Sequence, residues 1–250
     1  MSPVVSRGIV ITGSASGIGA ATARRLAAPG TGILVHAKEN APGVAAVEAE
    51  LRAKGVTTVG LVADLADAEA PRQIIELAAA TFGRIDALIH VAGFPVRGGF
   101  ATSAAEAEAC FDAIPLAFYR MARAAMPYLH RAEQGRVVTV STHNAHVFRP
   151  DYLYYPISGA AKAALEVMTR TLALELAPAG VTVNCVVPGL IRKEQGHPFL
   201  SPEEWACYPK LVPLGRIGEP DEVAAMIAFL ASRDASYVTG QCIHVNGGFV

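Results

Sequence analysis

Three glycines and two charged side chains mark where chemistry could be done in this 250-residue chain. The run Ile9-Val10-Ile11-Thr12-Gly13-Ser14-Ala15-Ser16-Gly17-Ile18-Gly19 passes from an apolar strand into glycines and then into the helical Ala20 to Ala27. Glycine permits positive φ and close backbone approach, and a helix start presents unpaired N–H groups. Gly13-x-x-x-Gly17-x-Gly19 in that setting suits the pyrophosphate of a dinucleotide. The first of the charged positions follows at Lys38, after the apolar run Ile33-Leu34-Val35-His36. Where a sheet of this kind holds NAD, an Asp or Glu at this point takes the ribose 2′-hydroxyl. An ammonium attracts a 2′-phosphate instead, which favours NADP(H) over NAD(H), although neighbouring Glu39 works against it. Asp64, after the run Thr58 to Ala63, could accept from an adenine amino group or cap a helix, and both readings stay open.

The remaining unusual chemistry sits in the loop His143 to Tyr155, which carries His143, His146, Phe148, Tyr152, Tyr154 and Tyr155. It has no clean metal-ligand spacing, so its aromatics are expected to wall a substrate pocket and no metal is expected.

The elements that must position these residues alternate. Apolar runs at Gly8–Thr12, Ile33–His36, Thr58–Ala63, Ala87–Gly93, Arg136–Thr142, Val181–Val187 and Gln241–Val245 read as strands. Helical segments lie between them: up to Ala28, Pro42–Lys54, Pro71–Phe82, a long helix pair reaching His130, Ser158–Ala177 and Asp221–Ala231. The fold class is α/β, a Rossmann-type doubly wound parallel sheet with helices on both faces. Leu165, Met168, Leu172 and Leu176 give the helix after Ser158 its apolar stripe. Residues Leu190 to Pro213 carry four prolines, show no period and read as a substrate-binding loop with short helices. The chain, residues 1–250, is expected to be one dinucleotide-binding domain.

Composition narrows the partners. At 52% hydrophobic and 17% charged residues, with a mean hydropathy of +0.35, apolar surface suffices for a core and for subunit contacts. A homo-oligomer, tetramer or dimer, is expected. A net charge of −1 without a basic run gives no footprint for nucleic acid or an anionic membrane. No secretory signal or membrane-length apolar run is read, so a cytoplasmic location is expected. Cys110, Cys185, Cys207 and Cys242 form no CxxC and read as small buried hydrophobes.

In order along the chain, Thr12-Gly13-Ser14-Ala15-Ser16-Gly17-Ile18-Gly19, Asp64-Leu65, Ser141-Thr142, Lys162-Ala163-Ala164-Leu165, Asn184 with Pro188-Gly189, and Val245-Asn246-Gly247-Gly248 resemble the short-chain dehydrogenase/reductase family. The resemblance covers essentially the whole chain and implies seven parallel strands and hydride transfer with a nicotinamide. On it, Gly13, Ser14, Ser16, Gly17, Ile18, Gly19, Lys38, Asp64, Leu65, Ala92, Gly93, Lys162, Pro188, Gly189 and Ile191 are expected to bind the cofactor. Ordinary carbonyl-reducing members carry Tyr-x-x-x-Lys, but Ser158 stands four before Lys162 here. Tyr155 stands seven before it, a Tyr-x6-Lys pattern similar to that of the enoyl-acyl-carrier-protein reductases. His90-Val91-Ala92-Gly93-Phe94 is likewise similar to their His-x-x-Gly-Phe, and Asp112 to Met126 lacks the asparagine that ordinary members use in a proton relay.

Positions four and seven apart on a helix return to within about 40° of one face, the second pair roughly 4.5 Å farther apart along the axis. That spacing suits an acid standing farther from the carbon that takes the hydride, as in an enoyl thioester. Tyr155 and Lys162 are therefore the expected catalytic residues. The expected activity is NAD(P)H-dependent reduction of an enoyl thioester, small or borne on an acyl carrier. The alternatives are a carbonyl or imine reductase and a dinucleotide-binding homologue without turnover.

Overall fold

The computed structural model describes residues 5–153, 155–193 and 201–249. Strand β1 (Arg7–Thr12) is apolar on both of its sides, so it must be covered on both: Ile9 and Ile11 enter one layer and Val10 the other. Six further strands join it in parallel: β2 (Thr31–Ala37), β3 (Thr57–Val62), β4 (Ala87–His90), β5 (Arg136–Val140), β6 (Thr182–Pro188) and β7 (Cys242–Val245). Their order is β3-β2-β1-β4-β5-β6-β7, the expected doubly wound sheet. Register pairs Ile9 with Ile33 on one side of β1 and with Ala87 on the other. The order reverses between β1 and β4, and a crevice opens beyond the carboxyl ends of strands at such a point.

One layer holds α1 (Gly17–Leu26), α2 (Ala41–Ala53) and α8 (Pro220–Leu230). Val44, Val47 and Leu51 of α2 and Val223, Ile227 and Leu230 of α8 bury against Ile9, Ile33, Val138 and Val186. The other layer holds α3 (Ala70–Phe82), α4 (Ala104–Phe111), α5 (Ala117–Leu129) and α6 (Pro156–Leu176). There Ile74, Phe118, Met121, Leu165 and Leu176 meet Val10, Leu34, Leu88 and Val137. Each fully buried aliphatic or aromatic side chain contributes about 1.5–3 kcal/mol. In the α6 stripe, Leu165 and Leu176 are buried while Met168 and Leu172 pack at the margin.

The expected helix pair before His130 is one helical path with a π turn, Asp112–Leu116, between α4 and α5. Pro115 lies inside it, and with no N–H to give it cannot continue the i→i−4 ladder. Strand β5 ends at Val140, two residues short of its expected end, because Ser141 and Thr142 turn out into a 3-10 turn, His143–Ala145. The expected substrate loop contains α7 (Pro202–Trp205) and a 3-10 turn, Tyr208–Leu211. Residues 194–200 of that loop, and Tyr154, lie outside the described residues. Among the described residues no helix is long and apolar enough to cross a membrane.

The cysteines divide. Cys110 and Cys185 are buried as expected, but Cys207 is exposed and Cys242 only partly covered. Cys207 lies two residues after the short α7. Cys185 and Cys242 are register partners on β6 and β7, although 57 positions separate them.

Candidate active site

The glycine turn has the shape its residue types dictate. Gly13 (φ 64°) and Gly17 (φ 52°) occupy the left-handed region, where side-chain-bearing residues are strained. A Cβ at Gly13 would meet Ala92 Cα at 2.9 Å, and one at Gly19 would meet Gly13 O at 2.1 Å, so the turn, α1 and β4 are packed backbone to backbone. A Cβ at Gly17 would meet nothing within 4 Å, which leaves open space over the start of α1. Ser16 is the N-cap of α1, and its side chain takes no capping bond, so the first-turn N–H groups stay available to a ligand.

Ser14 faces inward. Its hydroxyl donates to Ile11 O at 2.6 Å and accepts from His36 N at 3.0 Å, and its N–H donates to His36 O. His36 completes the brace by accepting from Gly13 N at 3.2 Å through Nδ1 and donating through Nε2 to Ala63 O at 3.0 Å. Burial lowers the His36 pKa, and the neutral ring suits both bonds.

Lys38 and Asp64 meet at the crevice edge, with Nζ 2.9 Å from Oδ2. The bond to Asp64 raises the Lys38 pKa, so the residue stays an ammonium. The other carboxylate oxygen of Asp64 accepts from Ala66 N at 3.0 Å. It thereby caps a turn, with α3 starting only at Ala70. Leu65 is buried in the core.

Beyond the carboxyl ends of β4, β5 and β6 lies a cavity of about 230 Å³. Ile18, Gly93, Phe94, Ser141, Thr142, His143, Tyr152, Tyr155, Ser158, Lys162, Pro188, Gly189, Ile191, Lys193 and Trp205 line it. Fold topology thus gathers residues spread along most of the chain into one chamber at the switch point of the sheet.

Tyr155 enters from the N-cap of α6, extended at φ −131° and ψ 70°, with Pro156 taking the first helical position. Lys162 lies two turns along. The position between them, four after Tyr155, is Gly159, and a Cβ there would strike Asn144 O at 2.8 Å. The helix therefore packs closely on the 143–145 turn at that point, and Lys162 reaches the cavity from the next turn. Lys162 Nζ donates to Val140 O (2.7 Å), Ala92 O (2.9 Å) and Val91 O (3.4 Å). Burial lowers its pKa to about 8. Burial and Tyr208 push the Tyr155 phenol up to about 12, with Arg97 opposing. Ser158 is buried against Val96, whose N–H donates to its oxygen at 3.1 Å.

Two walls were only partly legible in the sequence. His143 Nδ1 donates to Pro188 O at 3.2 Å, which leaves Nε2 to accept the Tyr152 hydroxyl at 2.7 Å. Burial lowers the His143 pKa to about 4 and raises that of Tyr152. Tyr152 also meets Tyr208 and Phe249 edge to face. Phe148, expected among the walls, is instead 74% exposed, and His146 turns toward α6. His90 braces β1 to β4, its Nδ1 bonded to Thr12 Oγ1 at 3.0 Å, and does not line the cavity. His36 and Glu166 gave no sequence signal, since each acts through a partner at least 20 residues away. Among the described residues no cluster of His, Cys, Asp and Glu could hold a metal ion.

The sequence and the fold are similar to those of known proteins. A family model described as enoyl-(acyl carrier protein) reductase matches residues 13–250. An uncharacterized oxidoreductase of Methylorubrum extorquens is 34% identical over 251 residues, 99% of each chain. The 3-oxoacyl-acyl-carrier-protein reductase of Staphylococcus aureus is 32% identical over 98% of each chain. Among solved structures, a short-chain dehydrogenase of Burkholderia cenocepacia in complex with NADP superposes with a TM-score of 0.88, at 28% identity and over 99% of each chain.

Proposed function

The chain belongs to the short-chain dehydrogenase/reductase family of NAD(P)-dependent oxidoreductases, and on that premise we propose that it reduces the C=C bond of an enoyl thioester. One observation carries this reading. Tyr155 and Lys162, seven positions apart, face one cavity, while Ser158, at the ordinary tyrosine's place, has its oxygen turned to Val96 N.

The cradle fits the proposed dinucleotide. Gly17 leaves room above the first turn of α1, Gly93 leaves room for the end of the Lys162 side chain, and Lys38 supplies a cation at the crevice edge that favours NADP(H). When bound, the nicotinamide supplies a hydride. The phenol of Tyr155 keeps its proton up to about pH 12 and can give it, or a hydrogen bond, to the enolate oxygen that develops on the thioester. Lys162, when protonated, holds ribose hydroxyls and offsets the developing negative charge. Tyr152, Trp205 and Phe94 form walls that exclude water, and the His143 bond fixes the tilt of Tyr152.

A second reading is reduction of a 3-oxoacyl thioester. It is favoured by the relative from S. aureus, and the same phenol would serve an alkoxide. A homo-oligomer is also proposed. Tyr119 of α5 and Val167 and Leu174 of α6 are at least 49% exposed and give an apolar face for a second copy, which light scattering would detect.

The test of the activity is NADPH oxidation with a crotonyl thioester and with an acetoacetyl thioester. Tyr155→Phe keeps the ring and removes the acid, so turnover should fall roughly 10²–10⁴-fold, whereas Ser158→Ala should change it little. Faster turnover of the oxo substrate would replace the enoyl reading with the second one, and a crippling Ser158→Ala would remove Tyr155 from its role.

A further inference from the structure

A reductase takes up one proton for each hydride it transfers, and the asparagine that ordinary members use in a proton relay is absent from residues 112–126. The proton must reach the floor of the cavity by another route. Glu166, one turn beyond Lys162, is a buried carboxylate that the reading above does not use. Its Oε1 accepts two hydrogen bonds: from Ser141 Oγ at 2.6 Å and from His146 Nε2 at 2.8 Å. Ser141 lines the cavity beside Lys162, and the His146 side chain keeps 34% of its surface in solvent. One carboxylate oxygen thus joins a solvent-facing imidazole to a hydroxyl in the cavity wall.

We propose that His146, Glu166 and Ser141 form a proton path from solvent to the cavity, in place of the absent asparagine relay. The proposal rests on the reading of the chain as a reductase. In each turnover the Nε2 proton of His146 passes to Glu166 Oε1 and on to Ser141 Oγ, which releases its own proton into the cavity. His146 takes a proton from solvent at Nδ1, which leaves it as the Nδ1–H tautomer, and a ring flip or proton exchange with solvent restores the Nε2–H form. Overall, substrate, NAD(P)H and one solvent proton give reduced substrate and NAD(P)⁺.

Both bonds end on Oε1, so the transferred proton swings about the C–Oε1 bond from the His146 side to the Ser141 side while the carboxylate plane stays in place. Ser141 can turn as well, since Lys162 O lies 3.3 Å from its Oγ as a second acceptor. The charged and titratable groups around Glu166 are Lys162 and Arg170 on α6, His146 on the 143–155 loop, Cys185 on β6, and Cys242 and His244 on β7. His244 packs edge-on against His146 at 4.7 Å between ring centroids, which holds the imidazole toward Glu166.

A plain strut between the loop and α6 would use the same bonds, so the test must separate shape from proton transfer. Glu166→Gln keeps the shape and an acceptor oxygen but cannot relay a proton. His146→Ala opens a hole that free imidazole can reach from solvent. With the full-length protein, saturating NADPH and whichever thioester the wild type reduces, kcat should fall roughly 10–100-fold in both variants. The solvent deuterium isotope effect should rise, and the effect of 4-deuterated NADPH should shrink as proton delivery becomes limiting. Added imidazole should restore kcat of His146→Ala, but not of Glu166→Gln, in proportion to its concentration. Unchanged kcat in both variants overturns the path. So does a loss without imidazole rescue and with unaltered isotope effects, which identifies a strut. A wild type that oxidises no NADPH with any thioester overturns the reductase reading, and the path falls with it.

Discussion

Raising the pH from 7 to 10 should strip this protein of its dinucleotide affinity through a single buried amine. Lys162 is buried with its Nζ against the carbonyls of Val140, Ala92 and Val91, and burial brings its pKa from 10.5 down to about 8. If only the ammonium holds the ribose, affinity is full at pH 7, halved near pH 8, and about tenfold weaker for each further unit, or roughly 100-fold at pH 10. Tyr155 cannot account for this limb, since its phenol ionises only near pH 12, and Lys38 stays charged because Asp64 raises its pKa. The same shift acts on stability. Between about pH 8 and 10.5 the unfolded chain holds a proton at Lys162 that the folded chain has released. Unfolding free energy therefore rises with pH across that window, by about 3 kcal/mol at most, and the full penalty stands below it. NADPH fluorescence titrations at pH 7, 8, 9 and 10 read the affinity, and urea unfolding at pH 8 and 10 reads the stability. Lys162→Met should bind weakly at every pH and lose the rise in stability. Constant affinity from pH 7 to 10 in the wild type, or a stability rise that persists in Lys162→Met, would refute the reasoning.

Three further variants test the cofactor crevice. Lys38→Ala should weaken NADPH by about 1.5–3 kcal/mol and NADH far less, and Asp64→Asn should shift the preference toward NADPH by freeing the ammonium. Calorimetry on both cofactors checks this, and equal weakening would remove the NADP preference. Gly17→Ala places a methyl in open space at φ 52°, so strain should cost only about 1–2 kcal/mol while the methyl fills the phosphate position. The melting temperature should fall by a few degrees and dinucleotide binding should collapse; unchanged affinity would make the turn purely structural. Gly13 is the poorer position for this test, because its Cβ would strike Ala92 and disturb the sheet as well.

The sequence alone determined what depends on local backbone chemistry. Gly13 and Gly17 signalled positive φ because few other residues tolerate it, and both adopt it. The period-free apolar runs and the helical stripe of Leu165 and Leu176 signalled a sheet covered on both faces, since each run had no polar side to give to water. The helix expected from Ser158 starts two residues earlier, at Pro156, with Tyr155 as its N-cap.

The tertiary structure decided what depends on contacts between distant segments. His36 braces the glycine turn only because β2 pairs with β1, and Lys38 meets Asp64 only because β2 pairs with β3. Gly159 lets α6 pack closely on Asn144, and no pattern along α6 shows that contact. Phe148 and Tyr152 are four residues apart in one aromatic loop, yet the first points to solvent and the second into the cavity. Glu166 lies on a helix whose sequence shows an apolar stripe, and its partners, Ser141 and His146, come from the segment that follows β5. Local φ preferences and periodicity act over a few residues and are written in composition. A side chain's partner across 20 or more residues is fixed only when the layers pack and each buried polar group must find a donor or acceptor within about 3 Å.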